Sequence, residues 1–262
     1  MPIQVAYCMH RGNTPGQQDA LLVNHTVHQS PDLPPSELSV GDDVLVAIAD
    51  GVAASPQAHL ASKLVLKTLA TALVSRPEDC SDELLSARHI RWVQQRLSAV
   101  LAGKRATYGA SSTVVAVHLK NGHAVMLNVG DSRAYLRTQG GAVRQLSRDH
   151  TELQRMRDSG EADATTSYAS FYNALSDCLV ADPDEYDFAI HRDQLTLLPG
   201  MLFVLCSDGV HEALGEPNWQ ALIAENPDPF ALVKATRSAV LEAGAADNFS
   251  LIACSWSGEQ PY

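Results

Sequence analysis

The chain has 262 residues, and its 30 Asp and Glu against 19 Lys and Arg give a formal net charge of −11. A surplus of acid without a basic stripe or a polybasic segment argues against nucleic acid and against anionic membrane as partners. Hydrophobic residues at 45% and charged residues at 19% make a globular composition, and a chain of this length buries roughly three quarters of its unfolded surface.

No apolar run approaches the ~18 residues of a membrane span, and Met1-Pro2-Ile3-Gln4-Val5-Ala6-Tyr7 lacks the charged-then-apolar layout of a signal peptide, which reads as a cytoplasmic protein. Cys8, Cys80, Cys178, Cys206 and Cys254 are odd in number and scattered, with no C-x-x-C pair, so neither structural disulfides nor a zinc knuckle is expected. No linker or internal repeat divides residues 1–262, which are read as a single domain.

In chain order, residues 4–9 form a strand that runs into the polar turn Arg11-Gly12-Asn13-Thr14-Pro15-Gly16, and residues 29–41, rich in Pro and Ser, are expected to be a loop. Val44-Leu45-Val46-Ala47-Ile48-Ala49 is short and continuously apolar, a strand buried on both faces that stops at Asp50-Gly51. Ser55-Pro56 predicts a helix start, with apolar spacing continuing from Leu60 to Leu73, and a second helix is expected from about Ser81 to a stop at Gly103.

Residues 111–146 read as a meander. Asn121-Gly122 between two apolar runs predicts a hairpin turn, because both turn positions need positive φ, and a further hairpin is expected to turn at Gly140-Gly141. A short helical piece around Leu153 and Met156 precedes a polar segment, to about Ala169, with no assignable pattern. Residues 202–206 are another buried strand ending at Ser207-Asp208-Gly209, helices are expected over 217–225 and 229–243, and residues 248–254 close the chain as a strand. Hairpins in the middle with helix pairs on either side imply an α+β fold, two antiparallel sheets packed as a sandwich and covered by helices.

Four aspartates stand at strand ends: Asp50, Asp131, Asp208 and Asp247. Each alone is an ordinary turn residue. Neighbouring strands would bring them to one rim, where like charges repel unless a cation neutralises them. Carboxylates without His or Cys beside them are hard oxygen ligands, suited to Mg²⁺ or Mn²⁺ rather than zinc or copper.

The ordered set Gln17-Gln18-Asp19, Ala49-Asp50-Gly51, residues 109–113, Val129-Gly130-Asp131-Ser132-Arg133-Ala134-Tyr135, Cys206-Ser207-Asp208-Gly209 and Ala246-Asp247-Asn248 resembles the metal-dependent (PPM, type 2C) protein serine/threonine phosphatase family, in its bacterial single-domain form. The resemblance implies a four-layer αββα sandwich and hydrolysis of phosphoserine and phosphothreonine by a hydroxide bridging two Mn²⁺ or Mg²⁺ ions, with no phosphoenzyme. It implies that Asp50 bridges the two ions, that the Gly51 carbonyl binds one of them, and that Asp208 and Asp247 bind the second, these three aspartates being the catalytic set. Asp19 would hold metal-bound water, while Asp131 and Glu212 would frame a third ion site, where family members usually have Asp in place of Glu212.

Two departures stand out. The family's phosphate-holding Arg, five residues before Asp19, is replaced by Thr14, which leaves Arg11 as the candidate for the substrate phosphate. The His that usually follows Asp-Gly as general acid is absent from Val52-Ala53-Ala54-Ser55, so a metal-bound water would have to protonate the leaving alcohol. These departures keep open an alternative, a catalytically weak relative that binds phosphoproteins as a regulatory module. The partners implied for an active enzyme are phosphoproteins, those of a cognate Ser/Thr kinase, acted on by a monomer.

Other chemistries fit less well. A cysteine phosphatase needs Arg six residues after Cys206, where Glu212 stands, and an aspartyl-phosphate enzyme needs Asp-x-Asp, which Asp50-Gly51-Val52 does not supply. There is no G-x-x-x-x-G-K-[ST] loop. His25 and His28 are expected in a polar loop, His150 to order its turn, Arg133 to pair with a carboxylate, and the acidic run from Asp177 to Asp187 to be a solvated connection.

Overall fold

The computed structural model describes residues 2–75, 84–163, 173–184 and 187–256. In chain order the elements are β1 (Ile3–His10), β2 (Ala20–Val23), β3 (Thr26–His28), β4 (Asp32–Val40), β5 (Asp43–Ala49), α1 (Ala58–Ser75), α2 (Ala87–Leu101), β6 (Ser111–Ser112), β7 (Val114–Lys120), β8 (His123–Val129), β9 (Arg133–Arg137) and β10 (Val143–Gln145). There follow α3 (Glu152–Ser159), β11 (Leu179–Val180), β12 (His191–Thr196), β13 (Leu202–Cys206), α4 (Asp208–Leu214), α5 (Glu216–Glu225), α6 (Pro229–Glu242) and β14 (Phe249–Trp256).

The strands form two antiparallel sheets, one in the order β10-β9-β13-β14-β1-β4 and the other β12-β8-β7-β5-β2-β3, with β11 and β6 as a separate two-stranded ribbon. Val5, Met9, Phe203, Leu205 and Ile252 of the first sheet interleave with Leu21, Val46, Ile48, Val115 and Val117 of the second, all essentially sealed from solvent. The second sheet turns Leu22, Leu45, Ala47, Ala116 and Leu127 toward α1 and α2. The first turns Val204, Leu251 and Ala253 toward α4, α5 and α6, where Trp219 lies edge-on to Tyr135 with ring centroids 6.0 Å apart. Strands β5, β13 and β14 therefore carry apolar side chains on both faces, which is why they read as continuous runs.

The expected α+β sandwich with helices on both faces is what the strands and helices build. Asn121 (φ 50°) and Gly122 (φ 77°) make the hairpin turn between β7 and β8. The supposed meander differs: β7 and β8 lie in one sheet, while β9 and β10 lie in the other. Residues 29–41 are not a loop. Most of the segment is β4, an edge strand on β1, whose pairing shifts between Tyr7 and Met9 where Pro34 and Pro35 interrupt the ladder. An edge and a bulge are the two places where a sheet tolerates proline.

His28 likewise belongs to a strand, β3, and its ring meets Tyr7 at 5.3 Å. The first helix begins at Ala58 rather than at Ser55-Pro56, because the Ser55 hydroxyl is taken by the Ser111 N–H at 3.0 Å and Gln57 adopts left-handed backbone (φ 52°). The second begins at Ala87 and ends at Leu101; the expected start at Ser81 lies outside the described residues, as does most of the unassigned polar segment before Ala169. Within the acidic run, Asp177 Oδ1 accepts the Ala189 N–H at 3.1 Å, so that connection is partly tied to the fold. Among the described residues no helix is long and apolar enough to cross a membrane.

Candidate active site

Every aspartate singled out in the sequence lies at the end of a strand or beside one, and pairing between those strands sets where it points. Asp50 follows β5, and three bonds hold its backbone. Its N–H donates to Thr113 Oγ1 (3.1 Å), and its carbonyl accepts from the Thr113 N–H (2.8 Å) and the Ser112 hydroxyl (2.9 Å). Gly51 then forms an antiparallel bridge with Ser112. The Ser-Ser-Thr stretch of β6 and β7 is thus the cradle for the Asp-Gly turn.

Asp131 follows β8 at a turn ordered by His150, whose Nδ1 accepts the Gly130 N–H (3.1 Å) while its own N–H donates to the Gly130 carbonyl (3.0 Å). Asp208 opens α4, a short helix that strand periodicity in β13 had hidden, and Glu212 lies one turn further on. Asp247 precedes β14, its Oδ1 accepting the Asn248 N–H at 2.7 Å.

Asp19, next to β2, is sealed from solvent. Its Oδ2 accepts from the Ser207 and Ser250 hydroxyls, each at 2.8 Å, but its Oδ1 is buried without a donor. Asp50, Asp131 and Asp208 are half-buried around it, and Glu212 and Asp247 stand exposed at the lip.

The carboxylates perturb one another strongly. Burial, and then the Asp208 charge, push Asp19 up to about 7 against the pull of its two serines. Burial, then Asp19 and Asp208, hold Asp50 well above the usual carboxylate range. Burial raises Asp131 and Asp208 as well, with Asp208 acting on Asp131 and Asp247 on Asp208, and burial with the same neighbours raises Glu212.

Asp50 lies close to both Asp19 and Asp208, so the three carboxylates raise one another's pKa at short range. Among the described residues no Lys or Arg forms an ion pair with any of these six acids, and no three side chains are already arranged around one point to grip an ion. A buried carboxylate oxygen without a donor, amid hard oxygen donors that press against one another, nonetheless fits a divalent cation of the Mg²⁺ or Mn²⁺ kind.

Arg11 lies on the loop between β1 and β2, exposed, its Nη1 reaching, among the described residues, only the Pro15 carbonyl at 3.5 Å. Thr14, in the position where an arginine was expected, turns its hydroxyl inward to the Arg11 and Gly16 carbonyls, at 2.7 and 2.8 Å. It is therefore unable to take an arginine's role.

Arg133 pairs with carboxylates, as its position suggested. It contacts Asp149 at 2.5 Å and Glu216 at 2.7 Å, and Tyr135 adds its hydroxyl to Glu216 at 3.0 Å. The described cysteines are free thiols, and burial pushes Cys8 up to about 12 and Cys178 up to about 11. Cys206 is a packed strand residue, not a nucleophile.

Residues that sequence reasoning left without a role are Ser207, Ser250 and Asn248. Each adjoins a singled-out aspartate or lies at the beginning of β14, within three residues of Asp247, and that nearness was the available signal; their partners are distant in the chain, 188 residues away for the bond from Ser207 to Asp19.

Residues 33–243 match the family model described as Protein phosphatase 2C. A protein named serine/threonine phosphatase stp from Listeria welshimeri is 28% identical over 123 residues, a stretch covering 45% of this chain and 47% of that protein. The chain thus spans about half the length of the curated relatives it matches. Among solved structures, the Mycobacterium tuberculosis serine/threonine phosphatase PstP/Ppp superposes with a TM-score of 0.74 at 19% identity, covering 98% of this chain and 100% of that one. The catalytic domain of PstP in complex with two manganese ions gives a TM-score of 0.70 at 19% identity over 97% and 99% of the two chains. With the family model matched along most of the chain and the fold shared from end to end, this protein belongs to the protein phosphatase 2C family.

Proposed function

We propose that the chain, as one catalytic domain over residues 1–262, is a protein serine/threonine phosphatase that hydrolyses phosphoserine and phosphothreonine with divalent ions held at its carboxylate rim. The observation that carries this reading is Asp19, sealed in the core with one oxygen lacking a donor among the described residues and with the Asp208 charge acting on it. In this reading Asp50, the Gly51 carbonyl, Asp208 and Asp247 would hold the ions, and Asp19 would act through water. Asp131 and Glu212 are left to frame a third ion site. Bound there, Mn²⁺ or Mg²⁺ would acidify water and supply positive charge to shield the phosphate.

The chain's own residues do the rest. Ser207 and Ser250 keep Asp19 turned into the rim, and the Ser112–Thr113 cradle holds the Asp50 backbone rigid. Arg11, exposed and weakly tethered, is free to take two phosphate oxygens with its fork of N–H donors. Val52 to Ser55 offer no imidazole, so the leaving alkoxide takes its proton from water rather than from a side chain at that turn.

The substrates assigned are phosphoproteins of a cognate Ser/Thr kinase in the cytoplasm, and the enzyme is assigned as a monomer. The test is hydrolysis of p-nitrophenyl phosphate and of a phosphothreonine peptide with Mn²⁺, with EDTA, and with the Asp208→Asn variant. Turnover that needs Mn²⁺ and vanishes in the variant supports the reading; activity that survives chelation, or none on either substrate, overturns it.

A further inference from the structure

Asn248 is almost fully buried at 3% exposure, and the hydrogen bonds of its side chain all go to one loop. Its Oδ1 accepts the Gln18 N–H at 2.5 Å. Its Nδ2 faces the Arg11 carbonyl (2.7 Å), the Gly16 carbonyl (3.0 Å) and the Thr14 hydroxyl. The same loop is sewn to the preceding turn by Asn13, whose N–H donates to the Ala245 carbonyl (2.9 Å) and whose Nδ2 donates to the Gly244 carbonyl (2.7 Å).

The fit leaves no slack. Gly12 has φ +60°, and a Cβ there would lie 2.1 Å from the Asp247 carbonyl oxygen. On the other side a Cβ at Gly209 would lie 2.0 Å from the Asn248 carbonyl oxygen. Asn248 therefore touches the residue before Asp19, the residue after Asp208, and Asp247 itself.

We infer that Asn248 is a positioning residue. It sets the Arg11–Gln18 loop in register with the carboxylate rim, so that the group holding the phosphate and the groups holding the ions face one point. Only an amide does this, since one oxygen must accept from Gln18 while the two N–H of one NH₂ are shared among acceptors on three residues. Thr14 follows from the same geometry: its hydroxyl is a partner of Asn248, and it stabilises the loop that carries Arg11 instead of touching phosphate.

The inference rests on the reading of Arg11 as the phosphate holder, and the experiment separates the two. Asn248→Ala, Asn248→Asp, Thr14→Val, Arg11→Ala and the Arg11→Ala/Asn248→Ala double variant are compared by kcat and KM on a phosphothreonine peptide, by the Mn²⁺ concentration for half-activation, and by amide hydrogen exchange in metal-free protein. Asn248→Ala is expected to raise KM by about tenfold or more, as misplacement of a binding group does, with half-activation by Mn²⁺ within about twofold and faster exchange at Gln18. Asn248→Asp, of equal size but unable to donate, should be no better than Ala. Thr14→Val should move KM the same way by less, and the double variant should be little worse than Arg11→Ala alone.

An Asn248→Ala enzyme with unchanged KM and unchanged exchange at Gln18, or a fully active Asn248→Asp enzyme, would overturn the inference. If Arg11→Ala leaves KM unchanged while Asn248→Ala raises it, the Arg11 assignment fails and the positioning role stands.

Discussion

Two clusters of acid sit a few residues apart in this protein and behave in opposite ways. Around Arg133, Asp149 and Glu216 are matched by a guanidinium. Burial alone would lower the Arg133 pKa, but the bond to Asp149 overrides it and the net shift is upward. At the rim, Asp19, Asp50, Asp131 and Asp208 are comparably enclosed, and burial with mutual repulsion drives all of them up. The difference teaches that acid in the first cluster is matched by a cation of the chain, whereas among the described residues acid in the second is not.

The largest test of that contrast is Asp208→Asn. Phosphatase activity with Mn²⁺ should fall by ~10³-fold or more, whereas ion-free protein should be at least as stable as the parent, since one of the mutually repelling charges is gone. Activity measured beside thermal unfolding in EDTA checks both halves, and a large loss of ion-free stability would count against the contrast. Arg133→Met should do the reverse at the matched cluster, leaving Asp149 and Glu216 unmatched and costing about 3 kcal/mol in urea unfolding.

Ion binding should stabilise the parent by about 2.7 kcal/mol at a hundredfold excess over Kd, and Asp208→Asn should abolish most of that increment. The pH dependence sharpens the comparison further. Asp19, pushed up to about 7, makes the ion-free fold hold a proton that the unfolded chain has released. Its contribution is fully present below the ordinary carboxylate range and is lost as pH rises through about 7. His211 runs the other way: burial pushes it down to about 3, so its contribution is present above the ordinary imidazole range and is lost as pH falls toward 3.

Between pH 6.5 and 4 the two oppose each other in ion-free protein. Mn²⁺ removes the Asp19 contribution by holding that region charged, so the loaded protein should lose stability more steeply on acidification, by about 1 kcal/mol per pH unit. Urea titrations at several pH values, with and without Mn²⁺, read this directly; parallel curves would contradict it. The smallest effect belongs to a pair far from either cluster. Asp43, half exposed, bonds Lys120 at 2.7 Å, and Asp43→Asn should cost about 0.5 kcal/mol and leave turnover unchanged.

Much of this was legible in the order of residues. Apolar runs at β5, β13 and β14 announced strands covered on both faces, Asn121-Gly122 announced its hairpin, and the aspartates at strand ends announced a rim. What escaped had local signals that conflicted with tertiary ones. Pro34 and Pro35 spoke against a strand, yet β1 needed a partner and an edge accepts proline. Ser55-Pro56 spoke for a helix start, yet Ser111 claimed the hydroxyl. Helix α4 was masked because Asp208 both ends a strand and opens a helix.

The sequence by itself determined which groups this protein possesses: strands able to be buried on both sides, carboxylates at their ends, and an arginine displaced from its expected place. These follow from short-range physics, since period, turn chemistry and side-chain charge are properties of a few adjacent residues. Only the tertiary structure decided which acids meet a guanidinium and which meet one another. It also decided that Asn248, 237 residues from Arg11, joins the Arg11–Gln18 loop to the carboxylate rim. That division comes from strand pairing, which brings distant chain ends together by register and burial and leaves no periodic trace in either partner.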